Sequence, residues 1–403
     1  MSRTLDDATR LAIVLSHPTQ YYSPWFRWIR AHTPITFRVF YLWDFGVAQN
    51  RDPHFGTSFE WDVDLLSGYE YEFLPNAARR PGAEQFFGFD NPGLTRQINE
   101  WRANAVLLFG YKWSSHMKVI AWATCAGIPM LFRGDSHLLG RGTPSIHVRI
   151  ALRMLYSRFA AFLCVGEANR QYFEEFKVPA RKLFFAPHSV DAELYSRENG
   201  AHVERARELR LQLGIESGKK VVLFAGKLIA AKQPTELLVA FVALDRPNTV
   251  LVFVGDGPEK ESLLAKAAAS GRNNVHFLPF ANQSEMPSRY LIADIFTLPS
   301  RGVYETWGLA VNEAMHMGIP CLVSNRVGCQ RDLVIAGETG WVFDALNPGA
   351  MGQVLALALQ EISSPERYVA LQQAVAKKIS SYTYARTTEG LIGALASLRQ
   401  EQR

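Results

Sequence analysis

Ile295-Phe296-Thr297-Leu298, stopped by Pro299, is followed by Ser300-Arg301-Gly302-Val303-Tyr304-Glu305-Thr306-Trp307-Gly308-Leu309-Ala310-Val311-Asn312-Glu313-Ala314-Met315, and together they read as strand, loop and helix. The short apolar run ends at the proline, and Leu309, Met315 and Met317 then recur at helical intervals until Gly318-Ile319-Pro320 closes the helix. Glu305 therefore falls on the loop and Glu313, eight positions later, inside the helix. Between them the amides of Trp307, Gly308 and Leu309 open the helix, where unpaired N–H donors and the positive dipole end attract phosphate. Gly308, lacking a side chain, is expected to let a ligand approach closely. Amides for phosphate beside carboxylates for hydroxyls suit a sugar nucleotide.

The same alternation extends in both directions, as expected of an α/β chain with parallel sheets covered by helices. In the first half, strands are expected at 11–15, 36–41, 105–109, 130–133, 161–165 and 183–185. In the second they are expected at 221–224, 250–254, 275–278, 295–298 and 321–323, with helices at 234–244, 259–270 and 308–317. A polar stretch from Asp191 to Lys220 separates the halves. Two doubly wound, Rossmann-like domains are expected, 1–190 and 191–380, with 381–403 as a terminal segment. Residues 42–93, rich in aromatics, Asp, Pro and Gly, are expected to form an irregular insertion near the cleft.

Strand 221–224 runs into Ala225-Gly226-Lys227-Leu228-Ile229-Ala230-Ala231-Lys232-Gln233-Pro234, so Lys227 and Lys232 share one strand-to-helix loop. In open α/β sheets ligands gather beyond the carboxyl ends of the strands, the side on which the Glu305 loop also emerges. Two cations there suit a diphosphate leaving group, on which charge develops as a glycosidic bond breaks.

These segments resemble the retaining GT-B glycosyltransferases of the large family that includes sucrose-phosphate synthase and bacterial mannosyl and glucosyl transferases, the glycosyl transferases group 1. The likeness covers most of 181–398. It is carried by Phe224-Ala225-Gly226-Lys227 through Lys232, with Lys227 where Arg is commoner, and by Val252-Phe253-Val254-Gly255-Asp256-Gly257-Pro258. It continues through Ala293-Asp294 to Ser300, then Glu313-Ala314-Met315 and Gly318-Ile319-Pro320. Val327-Gly328-Cys329 stands where the family has paired glycines. Over 1–180 the likeness rests on strand order and on Gly127-Ile128-Pro129-Met130-Leu131-Phe132-Arg133-Gly134-Asp135.

The resemblance implies a GT-B fold, two domains facing across a cleft, with the helix after Tyr382-Thr383-Tyr384 crossing back onto the first domain. It implies that Glu313 holds ribose hydroxyls, that Glu305 contacts the transferred sugar, and that the amides of Trp307, Gly308 and Leu309 bind sugar or phosphate. Gly226, Lys227 and Lys232 would meet the diphosphate, and backbone near Pro279-Phe280 the base. The family has a histidine near the sugar, where this chain offers Asp135, Ser136 and His137, so Asp135 and His137 are candidates. Gln20 and Tyr21, after the first strand, are candidates for the acceptor site. The implied activity is retaining, hexosyltransferase-like transfer from a nucleoside diphosphate sugar to a glycan, lipid-linked or protein hydroxyl, in bacterial-type glycan or glycoconjugate biosynthesis. No cofactor or metal is expected. A sugar-nucleotide epimerase or hydrolase and a non-catalytic sugar-nucleotide or glycan binder are the alternatives.

Composition narrows the partners. At 48% hydrophobic and 20% charged residues with a net charge of +5, the chain is ordinary globular protein with a mild basic excess, which permits anionic ligands without requiring nucleic acid. The first apolar run is too short for a signal-peptide core, and no stretch reaches a membrane-spanning length. Cys125, Cys164, Cys321 and Cys329 lack metal-ligand spacing, so a cytoplasmic location is expected. Asp62-Val63-Asp64 matches an Asp-x-Asp metal pair but has no clear preceding strand and reads as structural. Gly134-Asp135-Ser136-His137-Leu138 ends in Leu where a hydrolase elbow has Gly, and no G-x-G-x-x-G follows the first strand. Arg149, Arg153 and Arg158 accompany Ile150, Leu152, Met154 and Leu155 in a basic amphipathic helix. It is expected to pack on the sheet with a solvated basic face, although peripheral contact with the inner membrane surface is the other arrangement it permits.

Overall fold

Strands covered on both faces by helices have no polar side to show, so they appear as unbroken apolar runs. Ala105–Phe109 and Thr249–Val254 are buried at every position, and so are residues 11–15 and 221–225. The computed structural model describes residues 9–47, 50–51, 58–59 and 61–401. Of the expected segments, 1–8 and 402–403 lie outside the described residues, as do 48–49, 52–57 and 60 within the insertion.

The first sheet has seven strands in the order β5-β2-β1-β6-β7-β8-β9. They are β1 (Arg10–Leu15), β2 (Thr36–Tyr41), β5 (Tyr71–Phe73), β6 (Ala105–Phe109), β7 (Met130–Arg133), β8 (Ala161–Cys164) and β9 (Leu183–Phe185). β3 (Asn50–Arg51) and β4 (Ser58–Phe59) form a separate antiparallel ribbon. The second sheet has six, β12-β11-β10-β13-β14-β15. They are β10 (Lys220–Ala225), β11 (Thr249–Val254), β12 (Val275–Leu278), β13 (Ile295–Leu298), β14 (Cys321–Ser324) and β15 (Gly340–Phe343). Every pairing in both large sheets is parallel. The order reverses beside β1 and beside β10, which opens a crevice at the carboxyl ends of both sheets.

The terminal helix Tyr384–Glu401 returns to the first sheet. Its Leu391, Ala394 and Leu395 pack with Leu11, Ile13, Leu131 and Leu163. Trp25 Nε1 donates to Thr388 Oγ1 at 2.9 Å, and Thr387 Oγ1 donates to Pro187 O at 2.8 Å. The molecule is thus the two-sheet GT-B arrangement that the sequence implies.

Three expectations change. The 42–93 insertion is not wholly irregular, since Tyr71–Phe73 extends the first sheet as an edge strand against β2. β15, unexpected after Gly340, closes the other sheet beside β14. The helix Ile146–Tyr156 turns a mixed rather than a basic face to water: Arg149 is paired with Glu175, 2.7 Å away, and Ile150 and Met154 point outward beside the exposed Arg158 that follows the helix.

Candidate functional site

The crevice holds a cavity of about 480 Å³. Gly226, Lys227 and Lys232 reach it from the loop after β10, and Glu305, Trp307, Gly308, Leu309 and Glu313 from the loop and helix after β13. Phe280 borders it beyond β12, and Gln20, Tyr21 and Asp135 border it from the first domain. Segments remote in sequence meet here because parallel strands deliver all their exit loops to one edge.

Glu305 is held by both its ends. Its carboxylate accepts from Ser300 Oγ at 2.9 Å and lies 3.0 Å from Lys232 Nζ. Its carbonyl accepts from the Gly328 amide at 3.1 Å and lies 3.2 Å from His137 Nε2. His137 Nδ1 accepts from the Leu139 amide at 3.1 Å, so the proton sits on Nε2 and is donated to Glu305. Burial pushes the His137 pKa down, which favours this neutral form. His137 is therefore not a cavity residue: it is 1% exposed and braces the Glu305 backbone from behind.

Glu313 is enclosed in tyrosines. Tyr21 donates to Oε1 at 2.9 Å from the first domain, and Tyr290 donates to Oε2 at 2.7 Å. Burial raises the Glu313 pKa, while these hydroxyls favour its ionised form and pull the other way. Tyr21, expected on the acceptor side, instead reaches across the cleft to the carboxylate expected to hold ribose.

Two glycines owe their place to backbone geometry. Gly226 has φ +150°, a conformation that side chains rarely adopt, while a Cβ there would make only ordinary contact with Lys232, 3.4 Å from Nζ. Gly308 has φ +95°, and its missing Cβ would fall 2.8 Å from Val327 and 2.9 Å from Leu298. The expectation that Gly308 is bare to admit a ligand is corrected: the crowding comes from the core. Cys329, where the family has glycine, has φ −77° and needs no left-handed conformation. Gly328 beside it stays obligatory, because a Cβ would meet Thr306 O at 1.8 Å. Pro279 is exposed and does not line the cavity, which Phe280, Ala281 and Gln283 border instead.

Several neighbours gave no signal in the sequence. Thr306 Oγ1 donates to Asp135 Oδ2 at 2.7 Å across the cleft. Trp307 Nε1 donates to Asn312 Oδ1 at 2.7 Å, and Asn312 Nδ2 donates to His188 O at 3.1 Å. His188 is 4% exposed, with Nε2 3.9 Å from Asp135. That distance exceeds a hydrogen bond, and burial together with Arg133 holds the imidazole well below its usual pKa, so the contact is not an ion pair. Trp61 and Phe45 also border the cavity, which puts part of the insertion at the cleft. Asp62 accepts from Ser284 across the cleft, while Asp64 accepts from the amides of Leu66 and Ser67. These two carboxylates thus have structural partners. Among the described residues no group of three His, Cys, Asp or Glu is placed to hold a metal ion.

Residues 206–375, which carry both lysine-to-glutamate loops, match the model for Glycosyl transferases group 1. Over that region the chain is similar to the family. The chain is 31% identical over 249 residues to a D-inositol 3-phosphate glycosyltransferase of Corynebacterium glutamicum, covering 59% of this chain and 57% of the relative. It is 30% identical over 211 residues to a GDP-mannose-dependent alpha-(1-6)-phosphatidylinositol monomannoside mannosyltransferase of Mycolicibacterium smegmatis, covering 50% of this chain and 54% of that one. The chain thus spans about half the length of the curated relatives it matches. Among solved structures, Anabaena Alr3699/HepE in complex with UDP and glucose superposes with a TM-score of 0.72 at 17% identity, over 96% of this chain and 100% of that one. Sucrose-phosphate synthase from Thermosynechococcus elongatus gives 0.69 at 14%, over 98% and 100%. These likenesses establish the chain's GT-B fold. Among its described residues no helix is long and apolar enough to cross a membrane.

Proposed function

We propose that this chain is a metal-independent retaining glycosyltransferase that moves a sugar from a nucleoside diphosphate sugar to an acceptor hydroxyl. The observation that carries the reading is the meeting of Lys227, Lys232, Glu305 and Glu313 in one cavity from separate loops. Lys227 and Lys232 neutralise the departing diphosphate, with the helix opening at Leu309 adding amide donors. Glu305, kept in place by Ser300, Lys232 and His137, accepts from hydroxyls of the transferred sugar. Glu313 accepts from the ribose, which takes over the bond now made by Tyr21. The nucleoside base lies by Phe280 and Gln283. Retention follows the family's pattern: the acceptor attacks from the face the diphosphate leaves, and the leaving phosphate takes the acceptor proton. The nucleotide-dependent mannosyltransferase relative and the UDP-bound structural neighbour support a nucleotide-sugar donor.

The test begins with thermal shifts on UDP, GDP and ADP sugars, since a donor present at 100 times its Kd stabilises the native state by about 2.7 kcal/mol. With the stabilising donor and an acceptor panel, Lys227→Ala and Glu305→Ala should each lower kcat by roughly 10²–10³-fold with the fold intact. Chelator should leave turnover unchanged. Near-normal turnover in both variants removes the assigned roles, and loss of activity in chelator removes metal independence. Rapid consumption of donor without acceptor points to an epimerase or hydrolase, and binding without transfer to a non-catalytic protein.

A further inference from the structure

The helix Ile146–Tyr156 presents to water a face of the wrong polarity for a helix of a soluble surface. Ile146, Val148, Ile150 and Met154 are 59, 46, 48 and 62% exposed. At 3.6 residues per turn, Ile150 and Met154 share the outward stripe with His147, Ala151 and Arg158. Ile146, Ile150 and Met154, four residues apart on one stripe, mark a contact surface, with Val148 exposed at the helix start. Along this stretch of chain the charge has one sign, for between Asp135 and Glu167 there is no Asp or Glu but there are Arg141, Arg149, Arg153 and Arg158.

Beside the C-terminal end of this helix lies a second cavity, about 290 Å³, with Arg153, Lys177, Arg181 and Lys182 in its walls. No carboxylate lines it among the described residues. The neighbouring acids are occupied, Glu174 by Arg170 at 3.0 Å and Glu175 by Arg149 at 2.7 Å. Lys182 Nζ donates to Phe159 O at 2.9 Å, whereas Arg153 Nε is buried without a hydrogen-bond partner. A buried guanidinium nitrogen without an acceptor, in a pocket of cations, calls for an anion.

We propose that this face docks on an anionic lipid bilayer, with Ile146, Ile150 and Met154 entering the headgroup–acyl boundary and a lipid phosphate held among Arg153, Lys177, Arg181 and Lys182. An apolar stripe rimmed by cations is the pattern of helices that lie in the membrane interface. A second copy of the chain fits less well, because a two-fold contact through this face would bring the cation pocket against its own equivalent. The helix starts from the loop that borders the cleft, where Asp135 lines the main cavity and Arg141 Nη2 donates to Val303 O at 3.2 Å. Docking therefore brings the cleft mouth to the bilayer, which on the proposed function is where a lipid-linked acceptor would be presented.

Vesicle flotation of the full chain tests this, comparing phosphatidylglycerol–phosphatidylcholine with phosphatidylcholine alone. The wild type should float with the anionic vesicles and lose them as salt rises. Ile150→Glu/Met154→Glu and Lys177→Gln/Arg181→Gln should each cut the bound fraction tenfold or more, with melting temperature and response to UDP matching the wild type. Equal binding to neutral vesicles, binding to neither, or variants that float like the wild type would overturn the proposal. So would sedimentation showing a dimer that Ile150→Glu/Met154→Glu dissolves, without vesicle binding by the wild type. Failure of sugar transfer would leave this result untouched, since flotation needs no donor.

Discussion

Glu313 shows how a carboxylate in the cavity wall is kept hydrogen-bonded while buried. Its two oxygens accept from Tyr21 and Tyr290, and hydrogen bonds to a charged group contribute roughly 1.5–3 kcal/mol each, which offsets part of its desolvation. The offset is incomplete, and burial leaves its pKa above the ordinary 4.5. A carboxyl whose folded pKa is raised is most stabilising when protonated, so its contribution is full below pH 4.5 and falls as pH rises through the folded value. Each unit of that rise corresponds to about 1.4 kcal/mol. Glu313→Gln should therefore gain melting temperature relative to the wild type between pH 4 and pH 7, while losing nucleotide affinity. A constant difference across that range would show that the tyrosines fully compensate the burial. At this scale the sequence revealed the two lysines and two glutamates, because charged residues on strand-exit loops stand out by type and spacing. Tyr21 was legible as a cleft residue but its bond to Glu313 was not, and Tyr290, Thr306 and His188 stayed hidden, since such residues show no site signal until another segment folds against them. His137 was legible as a polar loop residue, but whether it faced the ligand or the Glu305 carbonyl depended on which nitrogen the Leu139 amide engaged.

Among elements, the join between the helix Glu167–Glu175 and the opposite domain carries the clearest electrostatic consequence. Asp332 accepts from the Glu167 amide with both oxygens, at 3.1 and 3.0 Å, capping that helix from the second domain. Gly166 makes room for the cap, since a Cβ there would lie 2.5 Å from the Trp307 ring and 2.6 Å from Asp332 Oδ2. Burial pushes the Asp332 carboxyl from 3.8 up to about 6. Stability tied to its protonation is thus full below the lower value and lost as pH passes the higher one. The effect has a ceiling of ~3 kcal/mol, and the carboxylate's partial contact with solvent lowers it. Asp332→Asn keeps one acceptor and cannot titrate, so chemical denaturation of that variant should show a flatter pH dependence between pH 4 and 6.5. Parallel slopes for the two proteins would place the titration elsewhere. Elements buried on both faces were readable from composition, because β1, β6, β10, β11 and β13 are apolar runs with at most one polar residue each. Tyr71–Phe73 and Gly340–Phe343 were not, being three and four residues long at sheet edges, too short to display a period. The outward face of Ile146–Tyr156 was misread for a related reason: its heptad pattern locates two faces, but only the partner Glu175 decides which one turns inward.

For the whole molecule, alternating runs and a polar divide predicted two facing sheets, whereas the degree to which the cleft is tied shut had no sequence signature. It follows from cross-domain contacts that include Tyr21 to Glu313, Thr306 to Asp135, Arg141 to the Val303 carbonyl, and the Glu167 amide to Asp332. Two of these, Tyr21–Glu313 and Thr306–Asp135, lie in the cavity where donor hydroxyls and phosphate would compete for the same atoms. A net hydrogen bond contributes ~1 kcal/mol, so losing two of them shifts an open–closed equilibrium by roughly tenfold or more. Tyr21→Phe/Thr306→Val removes both donors and leaves Glu313 and Asp135 in place to meet a ligand. Small-angle scattering without nucleotide should then give a larger radius of gyration than the wild type, and saturating nucleotide should restore it, because the ligand replaces the missing donors and bridges the lobes. The wild type, already bridged, should change less. If the variant scatters like the wild type in both conditions, the closed arrangement is held instead by the Asp332 cap and by the packing of the terminal helix on the first sheet, and the cavity contacts report closure without causing it.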